Sequence, residues 1–135
     1  MAPLVGIVVV SHSARIAQGV VELAAQMAGP DLRIVPVGGA IDGSLGTDAA
    51  HVAAAIAEAD SGSGVLVLAD LGSAVLAART ALELLDGDVA ARVRISGGPI
   101  VEGAVVAAVQ ASVGDTLDEV RAAADAAATM DKLAG

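Results

Sequence analysis

The stretch LVGIVVVSHSARIAQGVVELAAQMAGP, residues 4–30, decides the fold. Leu4 to Val10 is a continuous run rich in Val and Ile, the pattern of a strand covered on both faces, as in a parallel sheet. Ser11, His12 and Ser13 break the run. Ala14 to Ala28 then sets Ile16, Val20, Leu23 and Met27 at helical spacing until Gly29-Pro30 stops the helix.

Outward from this stretch the same unit recurs. Leu32 to Val37 is a second β-branched run, ended by Gly38-Gly39 and followed by a turn-rich loop, Ala40 to Gly46. Thr47 stands where an N-cap belongs, Asp48 puts negative charge in the first turn, and Val52, Ala55 and Ile56 form an apolar stripe in a helix that runs to about Asp60. After Ser61-Gly62-Ser63-Gly64, Val65 to Ala69 is a third buried strand, and Asp70-Leu71-Gly72-Ser73 leads into a helix over Ala74 to Leu85. Arg92 to Ser96 is a fourth, shorter strand with Gly97-Gly98-Pro99 as its turn, and Val101 to Ser112 and Leu117 to Ala128 read as helices separated at Gly114. Four strands alternating with helices imply right-handed crossovers and an open α/β fold, a parallel sheet with helices on both faces. Residues 1–128 make one domain; the tail from Thr129 to Gly135 lacks periodicity and carries no assigned role.

Composition excludes several function classes. At 135 residues the chain has room for one core. It is 56% hydrophobic with mean hydropathy +0.76 but has no aromatic residue, so its bulk is aliphatic and small. Without aromatics there is no base-stacking platform, and a net charge of -9 opposes phosphate backbones, so nucleic acid is not an expected partner. With no Cys, disulfides, thiolate metal sites and Cys nucleophiles are all excluded, and a reducing cytoplasm fits. No uncharged apolar run approaches the roughly 20 residues of a spanning helix. The apolar start lacks a basic n-region and reads as a strand rather than a signal.

In open parallel sheets, ligands and reactions gather beyond the carboxyl ends of the strands. Those ends present Ser11-His12-Ser13, Gly38 to Thr47, Asp70-Leu71-Gly72-Ser73 and Gly97-Gly98-Pro99. His12 is the one strong nucleophile among them, since imidazole attacks phosphorus or shuttles protons at neutral pH without large tuning. Its plain alternative is a hydrogen-bonded turn residue. A helix starts just after it, so backbone N–H groups and the helix dipole suit an oxyanion or phosphoryl group there. Asp70 ends the third strand and reaches the imidazole if the first and third strands are neighbours, about 4.8 Å apart; otherwise it is a helix-entry cap. Ser73 and flexible Gly72 either cradle phosphoryl oxygens or simply cap a helix.

Other readings fall away. Val-Ser-His-Ser-Ala at residues 10–14 is not a G-x-S-x-G elbow, so Ser11 and Ser13 are not hydrolase nucleophiles. His51 sits early in a helix and reads as a surface residue. Gly38 to Gly46 matches no nucleotide loop. Two histidines on separate elements make no metal site, so neither a metal nor a cofactor is expected.

Four motifs in order, Val-Ser-His-Ser at residues 10–13, Ile-Asp-Gly-Ser-Leu-Gly-Thr-Asp at 41–48, Leu-Ala-Asp-Leu-Gly-Ser-Ala at 68–74 and Gly-Gly-Pro-Ile-Val-Glu-Gly-Ala at 97–104, resemble the DhaM family. These are phosphotransferase subunits of phosphoenolpyruvate-dependent dihydroxyacetone kinase, and the resemblance covers their mannose-type EIIA domain over Leu4 to Ala126. It implies strand order 2-1-3-4, a homodimer, and His12 as a phosphohistidine fed by HPr. It further implies that His12 donates to ADP held on the kinase subunit DhaL, which works with DhaK. Carried over by position, Asp70 orients His12, and Ser73, Ser13, Thr47 and Gly72 are phosphoryl neighbours. A mannose-type transporter EIIA donating to an EIIB protein and a non-catalytic acidic interaction module are the competing readings. Some family members continue into HPr-like and enzyme-I-like domains, and this sequence, which ends after one, is either a single-domain version or an excised fragment.

Overall fold

The computed structural model describes residues 3–134. Four parallel strands, β1 (Gly6–Ser11), β2 (Ile34–Gly38), β3 (Val65–Ala69) and β4 (Val93–Ser96), form one sheet in the order β2-β1-β3-β4. The helices are α1 (Ala14–Ala25), α2 (Ala49–Ala59), α3 (Gly72–Glu83), the short α4 (Gly87–Ala91), α5 (Ile100–Ser112) and α6 (Leu117–Ala126), with a final 3-10 turn over Ala127–Thr129.

The sheet divides the core in two. Ile7, Val9, Leu66 and Leu68 face the helices α1, α5 and α6, and Val8, Val10, Val65 and Val67 face α2 and α3. Central strand β1 is buried on both faces over its whole length, which is why its sequence is a β-branched run instead of an alternation. The helices meet the sheet through small residues: Ala74, Ala78 and Ala81 on α3, and Gly103, Ala104, Ala107, Ala108 and Ala111 on α5. A side chain at Gly98 would run into the Ala124 carbonyl oxygen, so the close approach of α6 to the end of β4 depends on that glycine.

This packing corrects the expected face of α1. The residues turned to the core are Ala17, Val20 and Ala24, while Ile16, Leu23 and Met27 are 43–50% exposed. A sheet surface already filled with Val and Ile admits the helix closely only on its alanine side, so the bulkier residues are displaced to its flank. Element limits shift as well. Helix α1 stops at Ala25, with turns carrying the chain to Gly29-Pro30. Asp48, not Thr47, caps α2, accepting from the Ala50 N–H at 3.2 Å. Helix α3 starts at Gly72 with Leu71 at the N-cap position, so neither Asp70 nor Ser73 caps it. Helix α4 falls in residues 86–91, to which the sequence pattern assigns nothing. In the tail, Lys132 pairs with Glu102 of α5, and Gly135 lies outside the described residues. Among the described residues, no helix is long and apolar enough to cross a membrane.

The lower rim is tied by Asp60, whose carboxylate accepts from Arg92 Nη2 at 2.6 Å and from its Nε at 3.0 and 3.1 Å. These hydrogen bonds outweigh burial and hold the Asp60 carboxyl below its ordinary range. The stabilisation is present above the unfolded-state value of about pH 4 and is lost as pH falls through the lower folded-state value. Asp60→Asn is therefore expected to cost about 1–2 kcal/mol at pH 7 in urea unfolding, with the gap to the parent protein closing below about pH 4.

Candidate active site

The pairing of β1 with β3 puts Val10 opposite Ala69, so Ser11 and Asp70 come next at the same level. The Asp70 N–H continues the ladder to the Val10 carbonyl at 3.1 Å. That register, and no local motif, delivers the carboxylate to the imidazole across an interval of 58 residues.

Asp70 accepts four hydrogen bonds. Its Oδ1 takes His12 Nδ1 at 2.9 Å and the Leu71 N–H at 2.8 Å; its Oδ2 takes the His12 N–H at 3.0 Å and the Ser11 hydroxyl at 2.8 Å. Burial raises the Asp70 carboxyl, but the His12 N–H, the His12 ring and the Ser11 hydroxyl together outweigh it and leave it below the ordinary carboxylate range. The group is therefore ionised at neutral pH and fixes a proton on His12 Nδ1. In the neutral ring this leaves the lone pair on Nε2, which the Ser73 hydroxyl contacts. The imidazole is 24% exposed and its carboxylate partner 15%. The ring is thus held on one side and open on the other.

Several backbone contacts hold the turn. The Ser13 N–H donates to Ser11 Oγ at 3.1 Å, and Ser13 Oγ accepts from Ile16 as the N-cap of α1. The loop after β2 is tethered by Gly46 N–H to the His12 carbonyl at 2.9 Å. A side chain at Gly38 would come within 2.8 Å of the Ser11 and Ser13 carbonyls, so the end of β2 presses directly on the turn. On α3, the N-cap residue Leu71 supplies no side-chain acceptor to the first N–H groups, beside Gly72 and Ser73.

Of the residues picked from sequence, His12 contacts Asp70 through Nδ1 and Ser73 through Nε2, and Ser13 is joined to Asp70 through Ser11. Gly72 sits next to Ser73, and a side chain there would meet no other atom within 4 Å. Thr47 lines a separate shallow depression with Ala40, Ile41, Asp42 and Asp48. His51 is 57% exposed on α2, where it faces Asp48 at 3.4 Å. Ser11, which the sequence pattern does not place in the constellation, also belongs to it, and the signal for it is its place in register with Asp70. Among the described residues no group of three His, Cys, Asp or Glu is arranged to hold a metal ion.

A sheet of order 2-1-3-4 with a clamped histidine at the end of its central strand defines a class. The family model EIIA-man, described as the PTS system fructose IIA component, matches residues 6–121, and the chain belongs to that family. Its relatives there are phosphoryl donor subunits named DhaM, of phosphoenolpyruvate-dependent dihydroxyacetone kinases. The chain is 43% identical over 110 residues to one from Listeria innocua, covering 82% of this chain and 88% of the relative. It is 44% identical over 120 residues to that of Escherichia coli, covering 87% of this chain but only 25% of the relative's length. The crystal structure of the unknown-function protein EF1359 superposes with a TM-score of 0.81 at 40% identity, covering 91% of this chain and 94% of that one. A mannose/sorbose-specific IIA subunit from Enterococcus faecalis shares the fold at a TM-score of 0.56 and 22% identity, covering 95% and 96%.

The four donors around Asp70 make Asn a poor replacement. An amide NH2 in place of Oδ2 faces the His12 N–H; in place of Oδ1 it faces the Leu71 N–H and forces the ring into the Nε2–H tautomer. Asp70→Asn is expected to lower stability by about 1–3 kcal/mol in urea unfolding. It is also expected to raise the population of the Nε2–H tautomer of His12, measured by the nitrogen-15 shifts of the ring.

Proposed function

We propose that the chain is a phosphohistidine carrier for a phosphoenolpyruvate-dependent dihydroxyacetone kinase, accepting a phosphoryl group from HPr on His12 and passing it to ADP held on DhaL in company with DhaK. The observation that carries this reading is the polarised ring: Asp70 occupies Nδ1, and Nε2 faces Ser73 at the start of α3. The Nε2 lone pair attacks phosphorus in line with the donor's P–N bond. As the new P–N bond forms the old one breaks, and its electron pair leaves on the donor's imidazole. No proton crosses in this step. The phosphorylated ring keeps its Nδ1–H against Asp70, whose negative charge stabilises the imidazolium-like product. The Ser73 hydroxyl turns from Nε2 to a phosphoryl oxygen, beside the N–H groups and dipole of α3. In the second transfer a terminal phosphate oxygen of ADP attacks phosphorus, and the electron pair of the breaking bond returns to Nε2.

The surroundings suit partners that are themselves proteins. Ile41 and Leu45 on the loop tethered to His12, Leu71 beside Asp70, and Leu76 one turn beyond Ser73 are each more than half exposed. Such an apolar rim excludes water when a partner docks, and the charge of -9 favours a basic one. A homodimer in the cytoplasm belongs to the same reading, and the exposed flank of α1 and the turn after it, Ile16, Leu23 and Met27, gives a second copy apolar surface to cover.

Incubation with phosphoenolpyruvate, enzyme I and HPr is expected to place acid-labile, base-stable phosphate on the parent chain and none on His12→Ala. Chase with DhaL-ADP is expected to remove it, and chase with a mannose-type EIIB is not. Label on His12→Ala, or discharge to EIIB alone, overturns the assignment; binding of partners without any label supports a non-catalytic module instead.

A further inference from the structure

We propose that Ser11 is a positioning residue for the transfer, its buried hydroxyl setting the plane of the Asp70 carboxylate so that Oδ1 meets His12 Nδ1; this rests on the phosphohistidine reading. Ser11 is the one polar side chain in the strand GIVVVS and is fully buried. A hydroxyl at the end of an otherwise apolar strand costs free energy unless it is bonded, and this one is bonded twice. It donates to Asp70 Oδ2 at 2.8 Å and accepts from the Ser13 N–H at 3.1 Å. With the His12 N–H also on Oδ2, that oxygen is fixed by two donors, and the plane of the carboxylate directs Oδ1 to the ring and to Leu71.

The molecule contains its own control. At the end of β4, Ser96 Oγ donates to Asp125 Oδ1 at 2.5 Å, the Gly97 N–H donates to the same oxygen at 3.1 Å, and the Gly98 N–H donates to Ser96 Oγ at 3.0 Å. The three bonds repeat those of Ser11, His12 and Ser13 with Asp70, residue for residue. In the β4 turn a glycine occupies the place of His12, and the free carboxylate oxygen faces Arg121 at 3.6 Å. The serine–aspartate clamp is thus a way to build a strand-to-helix turn, and only at β1 does the second oxygen reach a reactive ring. Removing either hydroxyl weakens a turn; removing that of Ser11 also loosens the carboxylate that selects the His12 tautomer.

The test compares Ser11→Ala, Ser11→Thr and Ser96→Ala in the full chain by urea unfolding, by the rate of labelling from phosphorylated HPr, and by the nitrogen-15 shifts of His12 above its titration. Ser11→Ala and Ser96→Ala are expected to lower the unfolding midpoint by comparable amounts. Ser11→Ala alone is expected to slow labelling about tenfold and to raise the population of the Nε2–H tautomer, while Ser11→Thr, which keeps the hydroxyl, retains the parent tautomer. A Ser11→Ala tautomer population equal to the parent's, or one that Ser96→Ala shifts equally, overturns the proposal. If the parent chain itself takes no label, the phosphohistidine reading fails, and the tautomer measurement still decides whether Ser11 orients Asp70.

Discussion

The Asp70 carboxylate, accepting from four donors on two strands' ends and the head of a helix, is the interaction on which the rest of the site depends. An anion removed from bulk water is tolerable only when its lone pairs are filled, and here each donor that fills one also fixes a piece of chain. The His12 N–H fixes the turn after β1, the Leu71 N–H the entry to α3, and the Ser11 hydroxyl the strand end itself. Only the fourth donor, the imidazole, is mobile in chemistry. Three rigid contacts thus orient the carboxylate that holds one imidazole nitrogen.

A core without aromatics sets how closely that framework is drawn. Helices bearing alanine and glycine lie near a sheet of Val, Ile and Leu, and at Gly98 or Gly6 even one added carbon would collide with the Ala124 or the Ala59 carbonyl. The tight layers hold strands β1 and β3 in the register that aligns Ser11 with Asp70. Precision at the rim is therefore a product of the small side chains underneath.

The sequence declares this fold wherever a segment is buried on both faces. Val65–Ala69 falls where its apolar run places it, and the other strand runs differ from β1, β2 and β4 only at their ends. What periodicity misjudges is the side of α1 that enters the core, because it weighs Ile16, Leu23 and Met27 by hydrophobicity while the available gap is set by volume. At the site, the nature of the strand ends makes His12 and Asp70 legible, but whether they touch depends on strand order, which no local signal contains. The reading of Ser73 as a cap fails for a related reason: the helix begins earlier, behind Leu71, a residue that caps poorly and leaves the helix head open beside the ring. Ser11 is hidden because its two bonds run to a main-chain N–H and to a residue far away in sequence.

The contact between β2 and the turn carries a consequence for inheritance. Since any β-carbon at Gly38 would meet the carbonyls of Ser11 and Ser13 at 2.8 Å, the outermost strand has one position that tolerates a single amino acid for the sake of a neighbour's geometry. An inherited substitution at the exposed Pro36 of that strand meets solvent, whereas one at Gly38 displaces the turn that carries His12.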